Sequence, residues 1–245
     1  MSLVNPYEMD LDPNPANYQP LTPLAHLERA ALIFPDHVAI IHGKMRMTYR
    51  EFHERSRKLA SALAAEGIGK GDTVSVMLSN TPAMLEAHHG VPMTGAVLHS
   101  LNTRLDAAII AFQLDHADSK ILIVDREFSG IVSEALKLAS VRPLVIDYDD
   151  PEFPDDAPFP KGELIGTRDY EEFLSSGAAD FHRDGPADEW ESISLNYTSG
   201  TTGNPKGVVI FAHGIMEHSA RYDHILEQLC ADHQLAVYSM DHVNH

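Results

Sequence analysis

Three observations predict an α/β fold, a partial doubly wound and mostly parallel sheet with flanking helices. From Asp72 onward, short apolar segments at 73–78, 96–101, 121–125 and 144–147 alternate with helix-length segments at 82–90, 105–116 and 128–138. The apolar segments are continuous runs rather than strict alternations, which is the pattern of strands covered by helices on both faces. Helix-start chemistry falls where the rhythm needs it, with Asn80 or Thr81 ahead of Pro82 as a cap.

Taken in order, the elements begin with a helix capped by Thr22, with Pro23 at its first position. Leu24, Leu27, Ala31 and Phe34 recur at helical spacing, and Pro35 ends it. Residues 38–42 and 45–48 flank Gly43-Lys44 as a short hairpin. The next helix has a capping box, Thr48 with Glu51, and a staple, Met47 with Phe52. Its apolar stripe of Phe52, Leu59, Ala60 and Leu63 stops near Gly67. After the fourth apolar segment, residues 147–160 interleave six carboxylates with four prolines and read as a solvated surface loop rather than a domain boundary. They lack the spacing of a calcium loop. Glu171, Phe173 and Leu174 mark a short helix, and Trp190 is placed on the core edge before the next strand.

Composition limits the function classes. The chain has 245 residues, enough to bury a core in one or two domains. With 36 acidic and 18 basic residues its formal charge is −18, which opposes binding to nucleic acid or to anionic membrane surfaces. The single cysteine, Cys230, precludes an internal disulfide and reads as a buried thiol in a reducing compartment. There is no N-terminal apolar h-region and no run long enough to span a bilayer, so a soluble cytoplasmic protein is expected, without membrane insertion.

The run from Tyr197 to Gly207 carries the chemistry. Between apolar stretches at 193–195 and 208–211 it gathers the hydroxyls of Thr198, Ser199, Thr201 and Thr202, three glycines (Gly200, Gly203 and Gly207) and Lys206. Glycines let backbone N–H groups approach an anion, and the hydroxyls add donors. Lys206 adds a mobile positive charge. Thr201 or Thr202 can also face a Mg²⁺ ion shared with substrate phosphates. A Walker loop requires Gly directly before the lysine and Ser or Thr directly after it, whereas Pro205 and Gly207 stand there. An ordinary turn is the plain alternative, since Gly, Asn and Pro are general turn residues.

Position for position, this run resembles the phosphate-loop signature of the AMP-forming adenylating enzymes. Earlier segments, including Asn14-Pro15-Ala16-Asn17-Tyr18, Thr48-Tyr49-Arg50-Glu51 and Asn102-Thr103-Arg104-Leu105, are similar to the N-terminal half of a bacterial fatty-acyl-CoA synthetase, to about residue 209. The resemblance implies ATP, Mg²⁺ and CoA as cofactors, and a carboxylate and a nucleotide as small-molecule partners. It implies that a carboxylate attacks the ATP α-phosphate and that the CoA thiol then displaces AMP. Thr198, Ser199, Gly200, Thr201, Thr202, Gly203 and Lys206 would grip the outer phosphates. The family's adenine-pocket motif, ribose-binding motif and catalytic lysine do not occur after Gly207, so this chain is expected to be inactive.

From about residue 208 the pattern changes to strand, helix, strand, with Tyr222, Ile225, Leu226 and Leu229 on one helical face. Ile210-Phe211-Ala212-His213-Gly214, Glu217-His218-Ser219 and Asp241-His242 resemble the opening of a monoacylglycerol lipase type α/β-hydrolase. The resemblance implies half an oxyanion hole at the backbone N–H of Ile215. No Gly-x-Ser-x-Gly elbow is present, and no catalytic set is complete. The spacing of His213, His218, His224, His233, His242 and His245 repeats no zinc motif. The expectation is a chimera-like joint, with a ligase-like region at 1–209 and a hydrolase-like βαβ segment at 210–245. Sheet edges exposed by that arrangement would favour self-association.

Overall fold

The computed structural model describes Asn14, residues 16–198 and the strand at 206–211, with side chains described as far as Tyr197. The first helix, α1 (Leu24–Ile33), starts one residue later than the sequence suggests. Pro23 holds the N-cap position and makes no side-chain cap bond, while Thr22 Oγ1 accepts only a long 3.4 Å bond from Leu24 N. β1 (Val38–His42) and β2 (Met45–Thr48) form the expected antiparallel hairpin.

The next helix, α2 (Tyr49–Ala65), has its full capping box. Glu51 N donates to Thr48 Oγ1 at 3.3 Å, and Thr48 N donates to Glu51 Oε2 at 2.7 Å. Two orphan amides at the helix start are thereby satisfied. Met47 and Phe52 are both buried in one small cluster with Leu27 and Ile40, as a staple requires. The helix stops before Gly67, whose φ of +87° suits a residue without Cβ.

The main sheet then builds in sequence: β3 (Thr73–Met77), α3 (Pro82–Met93), β4 (Val97–Ser100), α4 (Ala107–His116), β5 (Ser119–Asp125), α5 (Ser129–Leu138) and β6 (Leu144–Tyr148). The two-residue β7 (Arg168–Asp169) and α6 (Tyr170–Ser175) follow, then β8 (Ser192–Thr198) and β9 (Lys206–Phe211). Strand order is β7-β6-β5-β3-β4-β8-β9, parallel throughout except for the antiparallel β8–β9 pair. The doubly wound, mostly parallel sheet is therefore present.

Side-chain alternation divides the core between two faces. Val74, Val76, Leu98, Ile121, Ile123 and Ile146 pack with residues of α2, α3 and α6. Met77, Leu122 and Val124 pack with α4 and α5 on the other face. Gly90 allows α3 to lie close against α2, since a Cβ there would sit 2.8 Å from Ser56 O.

Three expectations need correction. Thr81 occupies the N-cap of α3 but makes no side-chain cap bond. The strands are not uniformly apolar, because Ser75 and His99 are fully buried in β3 and β4. The 147–160 loop is not simply solvated. Asp147 is buried and accepts from Ile165 N at 3.1 Å and Gly166 N at 2.7 Å. Asp150, also buried, binds His42 Nε2 at 2.8 Å, and Asp149 pairs with Arg126 and Lys161. Those partners lie far along the chain, so local composition gave no hint of them.

A buried ionic cluster ties three helices together. Glu86 of α3 has no exposed surface and accepts from Arg55 Nε of α2 at 2.6 Å and from Tyr170 Oη of α6 at 2.7 Å. Arg55 also reaches Glu171 at 2.6 Å.

Candidate functional site

Pairing between β8 and β9 fixes both ends of the glycine- and hydroxyl-rich run. Thr198 and Lys206 are register partners, with Tyr197 opposite Gly207 and Asn196 opposite Val208. β8 is parallel to β4, so Thr198 sits at the carboxyl edge of the parallel strands, where open α/β sheets bind ligands. Only the backbone positions of Thr198 and Lys206 are described. Ser199, Gly200, Thr201, Thr202 and Gly203 lie outside the described residues, as do Ile215, Cys230 and the six histidines beyond Ala212. β9 runs unbroken across the 209/210 position expected from the sequence as a joint.

Beneath this hairpin root lies a polar chain under α4. Tyr197 Oη is 2.7 Å from His116 Nδ1, at the end of α4, and the Tyr197 ring lies 5.1 Å from the His99 ring. His99 Nδ1 is 2.8 Å from Ser75 Oγ, which is 2.5 Å from Ser119 Oγ. Burial pushes the His99 pKa down to about 4, so its imidazole is neutral near pH 7. Burial also raises the Tyr197 phenol to about 12, which keeps its proton available for donation. Apart from Tyr197, which begins the run, these residues were missed in the sequence. A histidine and a serine inside apolar strands were the signal that could have found them.

A second feature sits where the winding reverses. β3 and β5 are neighbours, yet α3 follows β3 onto one face and α5 follows β5 onto the other. A cavity of about 470 Å³ opens there, lined by residues including Ser79, Thr81, Asp125, Glu127 and Asp150. Asp125 is 1% exposed, and its burial pushes the carboxyl up to about 6 against a capping bond from Glu127 N. Ser79 hydrogen-bonds Glu127, and among the described residues no lysine or arginine lines the cavity, while His42 on its wall is bonded to Asp150. An acidic wall of this kind repels polyphosphate, so the cleft and the β8–β9 root are chemically distinct. Among the described residues, no group of three or more His, Cys, Asp or Glu is arranged to hold a metal ion. No helix among them is long and apolar enough to cross a membrane.

The winding and the carboxyl-edge hairpin define a doubly wound α/β domain. Residues 27–245 match the AMP-binding enzyme family, and the chain belongs to it. It is 45% identical over 214 residues to a peroxisomal acetate/butyrate–CoA ligase of Arabidopsis thaliana. It is 44% identical over 212 residues to an acetate–CoA ligase of Humulus lupulus. Each comparison covers 84% of this chain and 37% of the relative, so the chain spans well under half the length of these relatives. Among solved structures, an anthranilate–CoA ligase in complex with anthranoyl-AMP shares the fold at a TM-score of 0.66 and 20% identity. That match covers 77% of this chain and 34% of the other.

Proposed function

We propose that this chain carries the polyphosphate-gripping part of an AMP-forming carboxylate–CoA ligase. The observation that supports this reading is the hairpin root, which sets Thr198 and Lys206 side by side at the carboxyl edge of the parallel strands. In this proposal the backbone and hydroxyls of Thr198, Ser199, Gly200, Thr201, Thr202 and Gly203 receive the β- and γ-phosphates of ATP. Lys206 offsets charge on the leaving pyrophosphate. Mg²⁺, when bound, would neutralise and orient the phosphates, with Thr201 or Thr202 as an oxygen ligand. The acyl substrate and CoA would be engaged by the enzyme as a whole, and this chain alone would bind nucleotide without turning it over. A cytoplasmic setting belongs to the same proposal.

Equilibrium titration with MgATP and with tripolyphosphate tests it. Both are expected to bind, and Lys206→Ala is expected to weaken both by about 10-fold or more, the value of a charge-assisted contact. Equal affinity in wild type and variant, or no binding at all, refutes the reading. Carboxylate-dependent ATP–pyrophosphate exchange by the chain alone would contradict the expected lack of turnover. Residues 210–245 keep a second, hydrolase-like reading on their sequence. Labelling of the chain by a fluorophosphonate probe would support it, and none is expected, because no nucleophile elbow is present.

A further inference from the structure

The strand that leads into the phosphate-binding run is paired along its length with β9 but only briefly with the parallel strands. β8 is joined to β4 by only two residue pairs, Leu98 with Ser194 and His99 with Leu195. Asn196, Tyr197 and Thr198 lie beyond that pairing and have β9 alone as a described strand partner. A strand end paired on one side is less restrained than one paired on both. One side chain in this stretch reaches back into the protein. The Tyr197 ring packs on His99, itself fully buried and tied through Ser75 to Ser119, and its hydroxyl meets His116 Nδ1 at 2.7 Å. The His116 ring is in turn stacked on Phe112 one turn earlier in α4, with centroids 5.6 Å apart.

We propose that Tyr197 is a positioning residue for the phosphate loop: anchored to His116 and His99, it clamps the free end of β8 to α4 and so fixes the place from which Thr198 and the residues after it meet the nucleotide. This rests on the proposed phosphate-binding role of the loop. The physical basis is preorganisation, since a loop whose root is already fixed loses less conformational freedom when it closes on its ligand. His99 supplies a neutral, immobile surface for the ring. The hydroxyl supplies direction, because a hydrogen bond to Nδ1 selects one ring orientation where packing alone would allow several. For Tyr197 to donate to Nδ1, the His116 proton must sit on Nε2, which gives the contact a spectroscopic signature.

The test uses the full chain and the variants Tyr197→Phe, His116→Phe and the double variant. Tyr197→Phe keeps the ring on His99 and removes only the hydroxyl. MgATP affinity by calorimetry is expected to fall roughly 2- to 10-fold in each single variant, the range set by one net hydrogen bond. The double variant is expected to be no weaker than the weaker single one, because both changes remove the same contact. A role confined to stability would lower the melting temperature and leave the affinity of the folded chain unchanged. Unchanged affinity, or losses that multiply in the double variant, overturns the proposal.

A readout that needs no ligand separates this inference from the functional reading. In the wild-type chain, nitrogen NMR is expected to show the Nε2–H tautomer of His116. Amide exchange at Thr198, Lys206 and Gly207 is expected to speed up in Tyr197→Phe while β5 stays protected. If wild type binds no MgATP but exchange responds in this way, the functional reading fails and the clamp stands. If exchange is unchanged, the clamp fails.

Discussion

Removing Arg55 should expose a strong dependence of this fold on a polar contact. Glu86 is fully buried and Arg55 supplies two of its contacts, from Nε at 2.6 Å and Nη2 at 3.3 Å. Tyr170 Oη supplies a third at 2.7 Å. In Arg55→Leu the carboxylate keeps the tyrosine and loses its only counter-ion in the cluster. Breaking one side of a buried pair costs about 3–5 kcal/mol, most of it the desolvation of the charge left behind. The accompanying loss of Glu171, 59% exposed, adds less than about 1 kcal/mol. For a chain of this size each kcal/mol moves the melting temperature by about 2–4 °C, so a drop of roughly 6–20 °C is expected by circular dichroism. The double variant Arg55→Leu/Glu86→Leu removes the stranded charge as well and should recover much of the loss, although Tyr170 then lacks its acceptor. Two results refute this account: a single-variant loss below about 1 kcal/mol, or a double variant whose loss equals the sum of the two singles.

Three further outcomes follow from groups described above. Between pH 6.5 and 4, His99 stays neutral when folded and takes up a proton when unfolded, so stability falls as the solution is acidified through that window, by about 3 kcal/mol at most. Asp125 acts in the opposite sense, because its raised folded pKa near 6 favours the native state below that pH and loses its contribution as pH climbs from 3.8 to 6. Replacing Asp125 with Asn should therefore steepen the acid-side loss in urea titrations between pH 6 and 4, and an unchanged slope would contradict the assignment. Thr48→Ala should lose about 1 kcal/mol through the capping box of α2, read as a fall of about 2–4 °C in melting temperature, and no change would show that the box contributes nothing in context.

What was legible in the sequence was local. The Thr48/Glu51 box, the Gly43-Lys44 hairpin and the strand–helix rhythm depend on residues within a few positions of one another, and all three stand in the fold. The hydroxyl, glycine and lysine run was visible for the same reason. What stayed hidden depends on residues meeting from afar. Asp147 and Asp150 looked like solvated loop carboxylates until Ile165, Gly166 and His42 arrived as donors. Glu86 in the middle of α3 gave no sign of the arginine 31 positions earlier that makes its burial tolerable. Strand order was equally silent: nothing in the composition of β3 says that it ends between β5 and β4. Of the candidate site, the residue types were readable and the support beneath them was not, because Tyr197 gains its meaning from His99 and His116 on other elements.

The crossover between β4 and β5 has a consequence for how this chain assembles. α4 must carry the polypeptide over β3 before β5 can dock, and β4 then waits with one flank open until Ser194 and Leu195 come off the ribosome. The β8–β9 hairpin is therefore among the last described parts of this sheet to be secured during synthesis. Until then the β4 flank is an open seam on the nascent chain, where a chaperone or a neighbouring nascent chain would make first contact.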